Sequence, residues 1–191
     1  KYLTMLDGDS KRLLATVNDI LDLRKIEIES LSLARATVPF GRLVSRSLES
    51  LAVRAQHKGV ALRVDPGEKG LFADCDPRRM ERVFLNIAGN AVKFTPEGGS
   101  ISVSVKRDVA NQEGIRLEVR DTGIGIPRDA LERVTERYFT VGSQPSGSGL
   151  GLAIVKEIVA LHGGSIGIQS PLPGEENGTL VTVCLSGVAP P

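Results

Sequence analysis

The hydrophobic residues of this chain repeat with a period that changes several times between that of a helix and that of a strand. Helical spacing marks residues 41–56, 80–91 and 150–161. Strict alternation, which is typical of strands, marks residues 60–64, 101–105, 115–119, 165–169 and 180–185. Strand pairs that alternate with helices predict an α/β fold, here a two-layer α/β sandwich with a mixed sheet packed on helices.

The N-terminal residues follow a different pattern. Their apolar positions alternate spacings of three and four, and no proline occurs before Pro39. This predicts a bundle or coiled-coil helix, which needs a partner to cover its apolar stripe. The stripe consists of Leu3, Leu6, Ser10, Leu13, Val17 and Ile20. We therefore expect a homodimer through an N-terminal helix at 1–32, a linker at 33–40 and a globular domain at 41–188.

The charge balance excludes some classes of partner. Lys plus Arg number 24 against 23 Asp plus Glu, a formal net charge of +1. We therefore expect no nucleic-acid partner and no membrane contact by these residues, since both depend on a broad basic field. Cys75 and Cys184 form no CxxC motif, so we expect free thiols and a cytoplasmic location. Membrane anchoring of a longer parent protein stays open.

Polar residues form a second stripe on the helix predicted at 80–91. Arg79, Arg82, Asn86, Asn90 and Lys93 recur at spacings of three and four, so they share one face. Asn costs a helix several tenths of a kcal/mol relative to Ala, so two in register need an explanation. An amide oxygen can coordinate a hard divalent cation, and a Lys can pair with phosphate. Spacing alone is equally compatible with a solvated face.

Two glycine-rich segments follow. Asp121-Thr-Gly123-Ile-Gly125-Ile-Pro comes directly after an alternating strand, where a carboxylate can accept a hydrogen bond from a flat ligand. Gly147-Ser-Gly-Leu-Gly151-Leu opens the helix at 150–161, and backbone N–H groups at a helix start can bind an anion. The second segment is neither a Walker A loop nor a GxGxxG fingerprint. Either segment alone is weak evidence for a site.

Taken together and in this order, the three segments resemble the N, G1 and G2 boxes of histidine kinases. These kinases share a superfamily, and the Bergerat-type ATP-binding fold, with gyrase, Hsp90 and MutL. The segment Glu-Arg-Tyr-Phe at 136–139 is similar to the F box, while 162–164 and 178–179 match the closing segments. Residues 19–27 resemble the end of the second helix of the dimerisation and phosphotransfer domain.

The resemblance implies that the chain binds ATP and Mg²⁺ and transfers the γ-phosphoryl group to a histidine, which then signals to a response regulator receiver domain. It implies that Asn90 coordinates Mg²⁺, that Asn86 and Lys93 hold the polyphosphate, and that Asp121 accepts a hydrogen bond from the adenine amino group. Residues 140–148 correspond to the ATP lid. The ATP-binding set that the resemblance implies is Asn86, Asn90, Lys93, Asp121, Gly123, Gly125, Gly147, Ser148, Gly149, Leu150 and Gly151.

The chain also departs from the family pattern. Thr135 replaces the usual first Phe of the F box, Thr140 stands where a basic residue is common, and the lid is short. Neither His57 nor His162 lies in a phosphoacceptor motif, so we expect both to be structural and the acceptor histidine to be absent. These departures bear on the strength of catalysis more than on nucleotide binding.

Three other functions compete with this interpretation. The superfamily's ATPases carry a general-base Glu four residues before the metal-binding Asn, where this chain has Asn86, which cannot take a proton from water. A serine kinase of the anti-sigma type keeps that Glu and lacks the N-terminal helix. A regulatory or pseudo-kinase scaffold typically loses the G1 Asp and the G2 glycines, but both are intact here.

Overall fold

The computed structural model describes residues 33–108, 114–141, 147–172 and 174–189, together with Val17. The predicted N-terminal helix therefore lies outside the described residues, apart from Val17, and dimerisation through it stays a prediction. Within the described ranges the chain forms three helices, α1 (Phe40–His57), α2 (Pro77–Phe94) and α3 (Gly151–Leu161). The strands are β1 (Ala36–Pro39), β2 (Ala61–Asp65), β3 (Phe72–Cys75), β4 (Ser100–Arg107), β5 (Gly114–Asp121), β6 (Ser165–Gln169) and β7 (Thr179–Val188).

These strands build one sheet in the order β1-β3-β7-β5-β4-β2, with β6 also paired to β7. β2 runs parallel to β4, whereas the other neighbours are antiparallel, so the sheet is mixed as predicted. β4 and β5 form the predicted hairpin, with Ile101 opposite Asp121 at one end and Arg107 opposite Ile115 at the other. The long strand β7 places Thr179 opposite Asp121.

The core lies between this sheet and the helices. Alternate residues of β4 and β5 are buried, and the buried stripes of α1 and α2 pack against each other and against the sheet. Phe40 and Phe84 meet edge to face, with ring centroids 5.5 Å apart and an interplanar angle of 87°. The predicted sandwich of a mixed sheet and helices is confirmed.

The segment predicted as a linker, 33–40, takes part in the sheet. β1 pairs with β3, and the backbone N–H of Ala34 donates to Asp76 Oδ2 at 3.1 Å. Asp76 also caps α2, because its Oδ1 accepts from the N–H groups of Arg78 and Arg79. The sequence pattern missed both β1 and β3, since strands of four residues carry little periodicity.

His162 follows α3 and has partners at both ring nitrogens. Nδ1 lies 2.7 Å from the Ile158 carbonyl, and Nε2 accepts the backbone N–H of Asp76 at 2.9 Å. Burial lowers the pKa of this imidazole, in keeping with the neutral form that an accepting Nε2 requires. The predicted structural role of His162 is therefore confirmed, and His57 is exposed at the end of α1. No helix of the described residues is long and apolar enough to cross a membrane.

Candidate functional site

A cleft of about 490 Å³ opens between α2, the sheet and the start of α3. This volume lies within the range of small-molecule sites, roughly 300–1,000 Å³. The cleft brings together residues that are separated by up to about half of the chain. Its polar and glycine lining consists of Asn86, Asn90, Lys93, Asp121, Gly125, Thr140, Gly147, Ser148, Gly149, Gly151 and Thr179.

Helix α2 supplies one wall. Asn86, Asn90 and Lys93 all line the cleft, as expected from their spacing along one helical face. Asn86 Nδ2 donates to the Arg82 carbonyl at 3.0 Å. Its Oδ1 lies toward α3, because a Cβ placed on Gly151 would stand 2.9 Å from that oxygen. Two amide side chains and one ammonium group therefore border the same space.

The start of α3 forms the adjoining wall. The N-cap residue of this helix is Leu150, whose apolar side chain cannot accept a hydrogen bond from the first N–H groups. Gly149 has φ +70°, and a Cβ there would lie 2.6 Å from the carbonyl carbon of Tyr138, so the close approach of two backbones requires glycine. A Cβ on Gly147 would lie 3.1 Å from Lys93 Nζ, which shows that this ammonium group stands beside the glycine loop.

Leu150 differs from the rest of the predicted set. Its side chain is fully buried in the core and does not line the cleft. Its backbone N–H donates to Ser148 Oγ at 3.3 Å. A contact between Leu150 and a ligand thus has no support from the geometry, and the residue serves to hold α3 in place.

Asp121 lies at the end of β5 and is only 7% exposed. Its Oδ1 accepts the N–H of Gly123 at 2.8 Å, and the backbone N–H of Thr179, its partner on β7, lies near the carboxylate. Burial raises the pKa of this carboxyl, and the two N–H groups oppose that rise because they favour the charged form. Gly123 packs under the carboxylate and does not line the cleft, whereas Gly125 does.

The apolar walls of the cleft were not predicted. They come from β5, β6, β7, the loop after β5 and the segment before the glycine loop. Arg133 lies over the Phe139 ring, with its guanidinium carbon 4.4 Å from the ring centroid. The only signals in the sequence were the motifs that contain Ile126 and Phe139, since apolar residues are common everywhere in a core. The walls consist of Val119, Ile124, Ile126, Val134, Phe139, Ile168 and Val181, among others.

The cleft combines groups of opposite charge. Its lining includes the acceptor Asp121 and also Lys93, which stands next to the start of α3, where backbone N–H groups carry partial positive charge. A molecule with a flat donor-bearing group, an apolar surface and an anionic group matches this set. Among the described residues, no three His, Cys, Asp or Glu side chains cluster as a metal site, so a cation here would take amide oxygens and the ligand's own oxygens.

Comparison with known proteins gives a consistent picture. Residues 75–187 match the family of histidine kinase-, DNA gyrase B- and HSP90-like ATPases. The chain is 36% identical over 191 residues to the histidine protein kinase DivJ of Caulobacter vibrioides, covering 97% of this chain. It spans only 30% of the length of DivJ, so it corresponds to part of that protein.

Three solved structures share the fold. Full-length ShkA in complex with AMPPNP superposes with a TM-score of 0.78 at 30% identity, covering 99% of this chain and 39% of ShkA. The mycobacterial sensor histidine kinase MprB gives a TM-score of 0.70 at 30% identity, covering 83% of this chain and all of the MprB chain. The histidine kinase ThkA, solved in complex with the response regulator TrrA, gives a TM-score of 0.76 at 22% identity, covering 98% of this chain and 51% of the ThkA chain.

Proposed function

This chain belongs to the histidine kinases, within the family of histidine kinase-, DNA gyrase B- and HSP90-like ATPases, and on that basis we propose that it binds Mg·ATP and presents the γ-phosphoryl group to a histidine. The observation that carries the proposal is the convergence of Asp121, the α2 amides and the α3 glycines on one cleft of nucleotide size. Because the chain spans only part of its relatives, the acceptor histidine and the partners are part of the proposal.

ATP can match these groups in the following way. The adenine ring lies between the apolar walls, with its amino group donating to Asp121. The triphosphate extends toward Lys93 and the N–H groups at the start of α3, where positive charge favours it. Asn86 Oδ1 faces Gly151, so this amide helps to keep α2 and the glycine loop at the correct separation for the phosphates.

Mg²⁺ fits the donor set as well. Mg²⁺ usually keeps several waters and takes only one or two protein oxygens beside phosphate oxygens. Asn90, on the cleft wall of α2, offers such an oxygen. Bound there, the ion would neutralise charge on the phosphates, and no carboxylate cluster is needed for it.

The residues around the phosphates favour transfer over hydrolysis. Asn86 is an amide and cannot act as a general base for water, and Thr140 adds no charge to the cleft. The chain's own residues therefore bind, orient and partly enclose the nucleotide, while the acceptor imidazole has to come from elsewhere. We propose that this imidazole belongs to a helix of a dimerisation domain, that the N-terminal residues form part of that dimer, and that a response regulator receives the phosphoryl group, as the ThkA–TrrA complex illustrates for ThkA.

Calorimetry with ATP and Mg²⁺, followed by labelling with γ-labelled ATP, tests this function. We expect the chain to bind ATP, to fail to label itself and to hydrolyse ATP negligibly. Addition of a histidine-containing dimerisation helix from the parent protein should give labelling on that helix, and Asn90→Ala should abolish it. Strong self-labelling by these 191 residues would show that the acceptor is misplaced. ATP binding without any transfer would favour a regulatory scaffold.

A further inference from the structure

A buried serine connects the parts of the chain that surround Asp121. Ser170 follows β6 and is 5% exposed. Its Oγ accepts the backbone N–H of Ile126 at 2.7 Å and donates to the Gly178 carbonyl at 2.7 Å. One hydroxyl thereby joins the end of β6, the loop after β5 and the turn before β7. It does not line the cleft itself.

The contact with Gly178 reaches Asp121 through a single peptide unit. The Gly178 carbonyl and the Thr179 N–H belong to the same planar group, and in a trans peptide they point in opposite directions. Ser170 binds the carbonyl side, and the N–H side belongs to Thr179, the β7 partner of Asp121 in the sheet. The orientation of this plane therefore depends on Ser170 and on the pairing of β7 with β5, and a donor at the carbonyl polarises the N–H group beside Asp121.

The backbone around this peptide unit is closely packed. Gly178 has φ +87°, and its N–H donates to the Gly123 carbonyl at 2.9 Å. A Cβ on Gly178 would lie 2.7 Å from the Asp121 carbonyl oxygen, so the turn packs directly on the end of β5. Because glycine has no Cβ to restrict its rotation, the Ser170 contact helps to fix the peptide that follows.

The same hydroxyl also supports the other side of the cleft. Ile126 and Thr179 both line the cleft, and the Ser170 contact holds the Ile126 backbone in place. Thr179 Oγ1 lies 3.5 Å from Ser170 Oγ. A serine hydroxyl has one donor and two acceptor positions, so these contacts occupy all of them.

We propose that Ser170 is a positioning residue for base recognition: through the Gly178–Thr179 peptide and the Ile126 backbone, it sets the carboxylate of Asp121 for the adenine amino group. This inference rests on the proposed function, since it assumes that Asp121 recognises adenine. It assigns Ser170 no contact with the nucleotide and no step in phosphoryl transfer.

Ser170→Ala tests the proposal when ATP is compared with inosine triphosphate, which carries a carbonyl in place of the amino group. Loss of the hydroxyl should weaken ATP about tenfold, equivalent to about 1.4 kcal/mol, and inosine triphosphate less than about twofold. The preference for ATP over inosine triphosphate should therefore fall toward the value expected for Asp121→Asn. Ser47→Ala is the matched control, because Ser47 is 6% exposed, donates to the Leu43 carbonyl at 2.8 Å and lies on α1 away from the cleft.

The outcomes separate this inference from the proposed function. Wild-type protein that does not bind ATP, or does not prefer it, contradicts the function itself. Two results in Ser170→Ala overturn the role of Ser170. One is an equal loss of affinity for both nucleotides, which leaves the selectivity at its wild-type value. The other is no loss of affinity for either nucleotide. Ser170→Cys, whose thiol is somewhat larger than the hydroxyl and hydrogen-bonds only weakly, replaces Ser170→Ala if that variant does not fold. Without nucleotide, amide exchange at Thr179 should speed up in Ser170→Ala and stay unchanged in Ser47→Ala.

Discussion

Asp121→Asn separates recognition of the ligand from stability of the fold. The substitution keeps the size of the side chain and one acceptor oxygen, which can still bond to the Gly123 N–H. It removes the charge and replaces the second oxygen by an NH₂ group. That group would face the adenine amino group donor to donor, so the variant loses the contact that we assign to adenine.

The expected magnitude follows from the burial of this carboxylate. Asp121 is 7% exposed, so water cannot replace the lost acceptor. A hydrogen bond to a buried charged group contributes about 2–3 kcal/mol, which corresponds to about a 30- to 150-fold rise in the Kd for ATP. Stability should behave differently. Burial raises the pKa of Asp121 above 3.8, so the folded state disfavours the ionised form at neutral pH. Asn never ionises and so escapes this cost, but it is a weaker acceptor for the neighbouring N–H groups, so we expect little change in the free energy of unfolding of the apo protein.

Calorimetric titration with ATP and urea unfolding of the apo protein measure the two effects. Asp108→Asn is the matched control, because Asp108 is also 7% exposed but pairs with Arg116 at 2.6 Å outside the cleft. It lies beyond the opposite end of the β4–β5 hairpin, roughly 20 Å from Asp121 by strand length. We expect this control to lose stability and keep ATP affinity. Unchanged ATP affinity in Asp121→Asn would refute the assignment of Asp121 to adenine.

Three further predictions concern other parts of the chain. Sedimentation should show dimers for the whole chain and monomers for residues 33–191, a cut that keeps β1; monomers in both cases would contradict a dimer through the N-terminal helix. The free energy of unfolding should fall as pH drops below 6.5 through the lowered pKa of His162, since only the unfolded state then binds the proton. His162→Gln should reduce this slope in urea unfolding, and an unchanged slope in that variant excludes this cause. Gly149→Ala should weaken ATP binding more than Gly163→Ala. Both residues have positive φ, but only a Cβ on Gly149 would meet backbone atoms. Equal losses of ATP affinity in calorimetry would show that the positive φ alone causes the loss.

Much of the site could be predicted because its signals are local. Asn86, Asn90 and Lys93 share a face through the geometry of one helix, and that geometry depends only on spacing. Asp121 and the glycine loop were recognised by their position directly after a strand and directly before a helix. The family resemblance turned these separate signals into one predicted ATP site, and the structure places all of its residues except Gly123 and Leu150 on the lining of a single cleft.

Only the tertiary structure decided the contacts between residues that are far apart in the sequence. The register of β5 with β7 brings Thr179 opposite Asp121, and the pairing of β6 with β7 brings Ser170 to the same place. Burial of Leu150 and the inclusion of β1 in the sheet were likewise not readable from the pattern. The periodicity of a segment fixes which face it buries, but the partner that covers that face depends on strand order and register, which arise only when the whole core packs.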